Sequence, residues 1–219
     1  MNVRIHYLFT APKKKWMVPF TSDVIKGEDA LQIADVIERT GRARDLVLID
    51  EQNRTWNKKE FAKLMTEIET EPHHLHVYFD GGFDQKGKRS GLGCVIYYEQ
   101  NGYPYRFRFN AATQDLRTNN EAEYAALHLA IQQLEEMGVH HLPVTFTGDS
   151  KVVINQLLDE WPTLEESLNK WADRIEQKLD SLGISPSFDL VTRKDNREAD
   201  RLASQALEGV EVRSTTRMD

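Results

Sequence analysis

Four acidic residues stand at the ends of expected elements, where a sheet flanked by helices places its active site. Asp80 closes the run His76-Val77-Tyr78-Phe79 and is followed by Gly81 and Gly82. Glu123 lies early in a helical stretch. Asp149 follows a short strand in Thr147-Gly148-Asp149-Ser150, and Asp200 lies early in the last helical stretch. Carboxylate oxygens are hard ligands suited to Mg2+ or Mn2+. Two such ions about 4 Å apart can activate water and stabilise the leaving oxygen of a phosphodiester. Four carboxylates brought together without cations would repel one another, so metal binding is the natural explanation if they converge. Each acid also has a plain structural use. Asp80-Gly81 is a turn signal, Asp149 or Ser150 can cap a helix, and Glu123 and Asp200 suit helix N-termini. Glu121, three residues after Thr118, fits a capping box, which leaves Glu123 the freer of the two glutamates.

The elements that must position these acids begin near Leu75. Residues 75–82, 91–98 and 103–110 read as three strands of an antiparallel meander, with Gln100-Asn101-Gly102 as a hairpin turn. A helix follows over 119–137, with Ala122, Ala126, Leu127, Ala130, Ile131 and Leu134 at helical spacing. Then come a strand at 144–147, helices at 150–158 and 164–182, a strand at 187–191 and a helix at 196–207. This order predicts an α/β fold, a five-stranded mixed sheet flanked by helices. Such sheets place their sites at strand ends. Residues 209–219 read as a loose C-terminal tail.

Residues 1–70 read as a separate small α/β domain. Strands are expected at 3–9 and 16–20, joined through Pro12 and Lys13-Lys14-Lys15, with a further buried strand at 45–50. One helix is expected over 28–40, with Gly41 at its C-terminal end. A second starts after Asn57, with Glu60 three residues on and Phe61, Leu64, Met65 and Ile68 as its apolar stripe. This region carries no chemistry motif. Lys13, Lys14, Lys15 and Trp16 could meet a phosphate backbone, but a solvated hairpin tip explains them as well. The polar stretch 66–74, with Pro72, marks the domain boundary. His73, His74 and His76 cluster after it, but without a cysteine or a second histidine pair the set is incomplete as a metal motif.

Composition narrows the function classes. The formal net charge is −7, and all of the excess lies in residues 77–219, which hold 16 basic and 23 acidic side chains. That balance counts against a module that grips nucleic acid by charge alone, and is compatible with an enzyme whose carboxylates are neutralised by metal ions. The single Cys94 reads as a small core residue. No run of about 18 apolar residues is present, and residues 1–6 do not read as a secretory signal. A cytoplasmic location is the expectation.

Four blocks together carry a resemblance. Tyr78-Phe79-Asp80-Gly81-Gly82, Thr118-Asn119-Asn120-Glu121-Ala122-Glu123, Thr147-Gly148-Asp149-Ser150 and Asn196-Arg197-Glu198-Ala199-Asp200-Arg201-Leu202-Ala203 resemble the signature blocks of type 1 ribonuclease H. They stand in the family's order, with successive acids separated by 43, 26 and 51 positions. The resemblance covers residues 75–208. It implies a ribonuclease H-like fold and hydrolysis of the RNA strand of an RNA–DNA hybrid, leaving 5′-phosphate and 3′-hydroxyl ends. It also implies Asp80, Glu123, Asp149 and Asp200 as catalytic ligands of two Mg2+ or Mn2+ ions. Gly81, Gly82, Asn119, Asn120 and Arg193 become the candidate substrate contacts. Two departures stand out. The loop Val191-Thr192-Arg193-Lys194-Asp195-Asn196 has no histidine and is similar to the branch of the family with an arginine there. The segment Asp159-Glu160-Trp161-Pro162 is acidic where some members carry a basic projection. A catalytically weak or inactive relative that binds RNA or hybrids is therefore the alternative.

Overall fold

The computed structural model describes residues 1–11 and 16–218, with the backbone alone at 67–69. The expected Lys13-Lys14-Lys15 hairpin tip and the Ile68 side chain lie outside that description. The described chain divides into two units, Met1–Thr70 and Glu71–Asp219.

In the first unit, strands β1 (Asn2–Thr10), β2 (Met17–Thr21), β3 (Ile25–Lys26), β4 (Ala43–Asp50) and β5 (Thr55–Trp56) form one sheet. Its order is β2-β1-β4-β5, with β3 on β1, and every pairing is antiparallel. Helices α1 (Gly27–Arg39) and α2 (Lys58–Thr70) supply Ala30, Phe61 and Met65 to a core with Val3, Ile5 and Leu48. The start of α2 is a reciprocal capping box. Asn57 Oδ1 accepts from Glu60 N at 2.9 Å and Glu60 Oε2 accepts from Asn57 N at 3.2 Å, which satisfies two backbone donors the helix cannot use itself.

The second unit holds β6 (His73–Asp84), β7 (Arg89–Gln100), β8 (Tyr103–Thr113), α3 (Asn119–Glu136), β9 (Pro143–Gly148), α4 (Lys151–Leu157), α5 (Glu166–Leu182), β10 (Ser185–Leu190), α6 (Arg197–Leu207) and β11 (Arg213–Arg217). The sheet order is β10-β9-β6-β7-β8-β11. β6, β9 and β10 run parallel, and β7, β8 and β11 alternate from them. Asn101 and Gly102 both have positive φ, 53° and 74°, as a two-residue hairpin with type I′ geometry requires.

Glycines set how closely the helices approach this sheet. A Cβ added to Gly81 would lie 2.1 Å from the Ala122 carbonyl carbon, so α3 rests its backbone directly on β6. On β7, a Cβ at Gly91 or Gly93 would strike the Ala203 or Ala199 carbonyl oxygen at 2.0 and 2.2 Å, so α6 rests there. Gly93 is the cross-strand partner of Asp80. Cross-strand partners share a face and successive residues alternate, so Asp80 faces α6 while Gly81 faces α3.

The loose tail expected at 209–219 is corrected. Arg213–Arg217 adds a sixth strand beside β8, outside the five expected. Its sequence, Arg-Ser-Thr-Thr-Arg, lacks an apolar face because it is an edge strand. Specific contacts hold it instead. Asn110 Oδ1 accepts from Val212 N at 2.7 Å, and Asn110 Nδ2 donates to Leu202 and Val210 carbonyls. The Arg217 guanidinium stacks 3.4 Å from the Tyr103 ring centroid.

Candidate active site

Asp80 and Asp149 meet because β6 and β9 are parallel neighbours. Their register runs from Leu75↔Val144 to Tyr78↔Thr147. Continued two residues further, it sets Asp80 beside Asp149 at the point where β9 ends and β6 loses that partner. Gly148 closes β9, and Ser150 caps α4 by accepting from Val153 N at 3.4 Å. With Ser150 as the cap, the Asp149 carboxylate is left for other work.

Glu123 arrives from α3 by a similar division of labour. Thr118 Oγ1 caps the helix by accepting from Glu121 N at 3.1 Å. Glu121 reaches back one residue beyond the cap and accepts from Arg117 N at 2.6 Å. Glu123 Oε2 instead accepts from Gly81 N at 3.2 Å, a buried contact between α3 and β6. Ligand oxygens of Asp80, Glu123 and Asp149 all lie within 4.8 Å of one another. Asp80 and Glu123 are buried and Asp149 is half-buried.

Asp200 stands beside this trio rather than within it. Its Oδ1 accepts from Arg193 Nη2, and its charge acts on Asp80. The Arg193 side chain is 78% exposed, so the ion pair that holds Asp200 faces solvent. The ion pair raises the Arg193 pKa further above its ordinary value, so this loop carries a fixed cation where a histidine would titrate.

The electrostatics match crowded carboxylates awaiting positive charge. Burial, followed by the charges of Asp149 and Asp200, pushes Asp80 up to about 7, with Arg193 partly offsetting them. Burial and the charges of Asp80 and Asp149 hold Glu123 well above the usual carboxylate range, and the Gly81 N–H opposes them. All the donors are carboxylate oxygens, the set that Mg2+ and Mn2+ prefer, so these residues fit such an ion.

The candidate substrate contacts differ in their surroundings. Gly81 has α3 against its Cβ side and gives its N–H to Glu123. Gly82 faces α6, where an added Cβ would lie 3.4 Å from Leu207 Cδ1. Asn119 is exposed and Asn120 half-buried at the start of α3, so both remain reachable. Asn196 is a site residue that residue types did not single out. It is 1% exposed, and its Nδ2 donates to the Phe79 carbonyl at 2.9 Å and to Asp149 Oδ1 at 3.3 Å. It precedes α6 in the position of an N-cap but makes no capping bond. Its amide is turned inward, tying α6 to β6 and steadying Asp149. Its signal in the sequence was its place at the head of the fourth block, immediately before the Asp200 helix.

A family model described as reverse transcriptase-like matches residues 78–206. The whole chain is 40% identical to a Bacillus subtilis (strain 168) protein called "Uncharacterized protein YpeP", covering 96% of it. Residues making up 61% of the chain are 30% identical to ribonuclease HI of Halobacterium salinarum, across 64% of that protein. The solved structure of LC11-RNase H1, in complex with an RNA/DNA hybrid, superposes with a TM-score of 0.55 at 25% identity, covering 62% of this chain and 97% of that one.

Proposed function

The chain belongs to the reverse transcriptase-like family, with a ribonuclease H-like fold, and from this premise we propose that it is a metal-dependent endonuclease cutting the RNA strand of RNA–DNA hybrids. The observation that carries the reading is the meeting of three buried or half-buried carboxylates, Asp80, Glu123 and Asp149, within 4.8 Å. These three would hold Mg2+ or Mn2+, joined by Asp200 once Arg193 lets it go. The metal supplies an activated water and neutralises charge on the leaving oxygen.

The chain's own residues prepare that chemistry. Asp80 sits on the central strand, and the seating of α3 and α6 on glycines keeps it from shifting. Gly81 N–H fixes one oxygen of Glu123. Asn196 fixes Asp149 and anchors the helix that carries Asp200. Arg193 stays charged at any working pH, so it holds a phosphate and serves as no general base. Asn119 and Asn120, reachable at the start of α3, would contact a 2′-hydroxyl, the group that distinguishes RNA from DNA.

A second reading, a weak relative that binds hybrid without efficient cleavage, is favoured by the Arg193–Asp200 ion pair and by the net charge of −7. The deciding experiment incubates the full chain with end-labelled RNA–DNA hybrid, single-stranded RNA and RNA duplex, with Mg2+, Mn2+ or chelator. The enzyme reading expects metal-dependent cuts in the hybrid's RNA strand alone, with 5′-phosphate products. Binding of the hybrid with no cleavage under either metal would establish the second reading instead.

A further inference from the structure

We propose that His73, His74 and Glu99 form a second metal site, separate from the carboxylate cluster, that takes Zn2+ or a similar borderline transition-metal ion. The ligating atoms of these three residues lie within 4.8 Å of one another. His74 Nδ1 is 3.2 Å from Glu99 Oε2, and His73 Nε2 is 3.8 Å from the same oxygen. Ligands about 2.0–2.1 Å from a tetrahedral Zn2+ stand roughly 3.3 Å apart, so both distances come close to those of a formed site.

Adjacent residues on a strand normally point to opposite faces. Here a β-bulge removes that obstacle. The register between β6 and β7 passes from His73↔Glu99 to His76↔Tyr97, three residues on β6 against two on β7. The extra residue is taken up by His74 at φ 52°, a conformation uncommon outside glycine. Both imidazoles thereby come to the same carboxylate, with ring centroids 4.9 Å apart.

A second observation bears on the ligand state. His73 Nδ1 lies 2.9 Å from the Glu71 carbonyl oxygen. A carbonyl only accepts, so Nδ1 carries the proton and the lone pair of the neutral ring sits on Nε2, the atom facing Glu99. A backbone carbonyl on the far nitrogen is the usual support for a metal-bound histidine. A water would complete four-coordination. The imidazole nitrogens select Zn2+ over Mg2+, whereas the all-oxygen cluster at Asp80 does the reverse. Along β6, His74 and Asp80 are six residues apart, roughly 20 Å, so the two sites are independent. A bound ion here would pin the start of β6 to the end of β7.

The test titrates the full chain with Zn2+ by calorimetry in excess Mg2+, which occupies the carboxylates, and compares it with His74→Ala, Glu99→Gln and Asp149→Asn. We expect one Zn2+ per chain, weakened at least about tenfold by His74→Ala and by Glu99→Gln, and unchanged by Asp149→Asn. Bound Co2+ should give the intense visible absorption of a tetrahedral site in the wild type, which does not depend on how the variants fold. Zn2+ binding that survives in His74→Ala and Glu99→Gln, or wild-type chain with neither Zn2+ uptake nor a Co2+ spectrum, would overturn the proposal and leave a histidine–glutamate ion pair.

Discussion

Each unit carries a buried aspartate on a strand, Asp50 closing β4 and Asp80 within β6, and their surroundings are opposite in kind. Asp50 is 3% exposed and takes four hydrogen bonds. Gln52 N and Arg54 N donate to Oδ1 at 2.9 and 2.8 Å, and Arg54 Nε and Trp56 Nε1 donate to Oδ2 at 2.7 and 3.1 Å. Burial pushes its carboxyl up, but the Arg54 backbone and side chain and the Trp56 indole together hold it below the ordinary value. Asp80 is 8% exposed and meets carboxylates where Asp50 meets donors, so its carboxyl rises to about 7. Burial alone therefore does not mark a functional carboxylate. A fully satisfied one clasps a turn, while one surrounded by like charge is arranged for a cation.

The comparison can be broken most directly by removing charge at each place. Asp80→Asn or Asp149→Asn should cost roughly a thousand-fold in hybrid cleavage, on the scale of losing a major electrostatic stabiliser. Their unfolding midpoints in chelator should be equal to or above wild type, because a repulsive charge has been removed. A variant that instead unfolds early would make the cluster structural. Asp50→Ala should do the reverse. It should destabilise the Met1–Thr70 unit by about 2–4 kcal/mol, since several charge-assisted hydrogen bonds are lost, as read from denaturant unfolding and protease sensitivity of that unit.

Asn196→Ala should lower the cleavage rate by about 10–100-fold, the usual range for a group that orients a ligand, with weakened Mg2+ binding by calorimetry. An unchanged metal affinity would limit Asn196 to seating α6.

The smallest effect separates the two aspartates by pH. Between the ordinary value of 3.8 and about 7, the folded metal-free chain keeps a proton on Asp80 that the unfolded chain has released. Stability contributed there falls as pH rises through that window and is level above it. Asp50, whose folded value is depressed below 3.8, contributes stability that is present above about pH 4 and lost as pH falls through its lower value. Melting temperatures of the metal-free chain should therefore decline from pH 5 to pH 7, and Asp80→Asn should flatten that decline. A steeper decline in Asp80→Asn would contradict the assignment.

Much of this was legible in the residues. The capping residues Thr118 and Asn57, the turn Asn101-Gly102 and the helical stripe of α3 depend on neighbours a few positions away, and short-range patterns report such things directly. Glu123 could be separated from Glu121 because a capping box consumes one of them. The inward roles of Asp50 and Asn196 were not legible, since an aspartate or asparagine at an element end reads alike whether its side chain turns out to water or inward. The tail strand was missed because an edge strand needs no apolar face, and the side chain that clasps it, Asn110, lies about a hundred residues away. The histidine–glutamate cluster was hidden by register, since only the bulge on β6 brings Glu99 opposite His73 and His74.

What the sequence determined by itself was the family, the order of elements and the four acids, because those rest on local pattern and on motifs in series. Tertiary structure decided which acids meet. It drew Asp80, Glu123 and Asp149 together through a parallel register and a glycine contact, and left Asp200 in the hand of Arg193. It also made Gly81 the seat of a helix. The reason is physical: whether a carboxylate is satisfied, repelled or free depends on what lies within a few ångströms of it. Those neighbours come from strands and helices scattered along the chain.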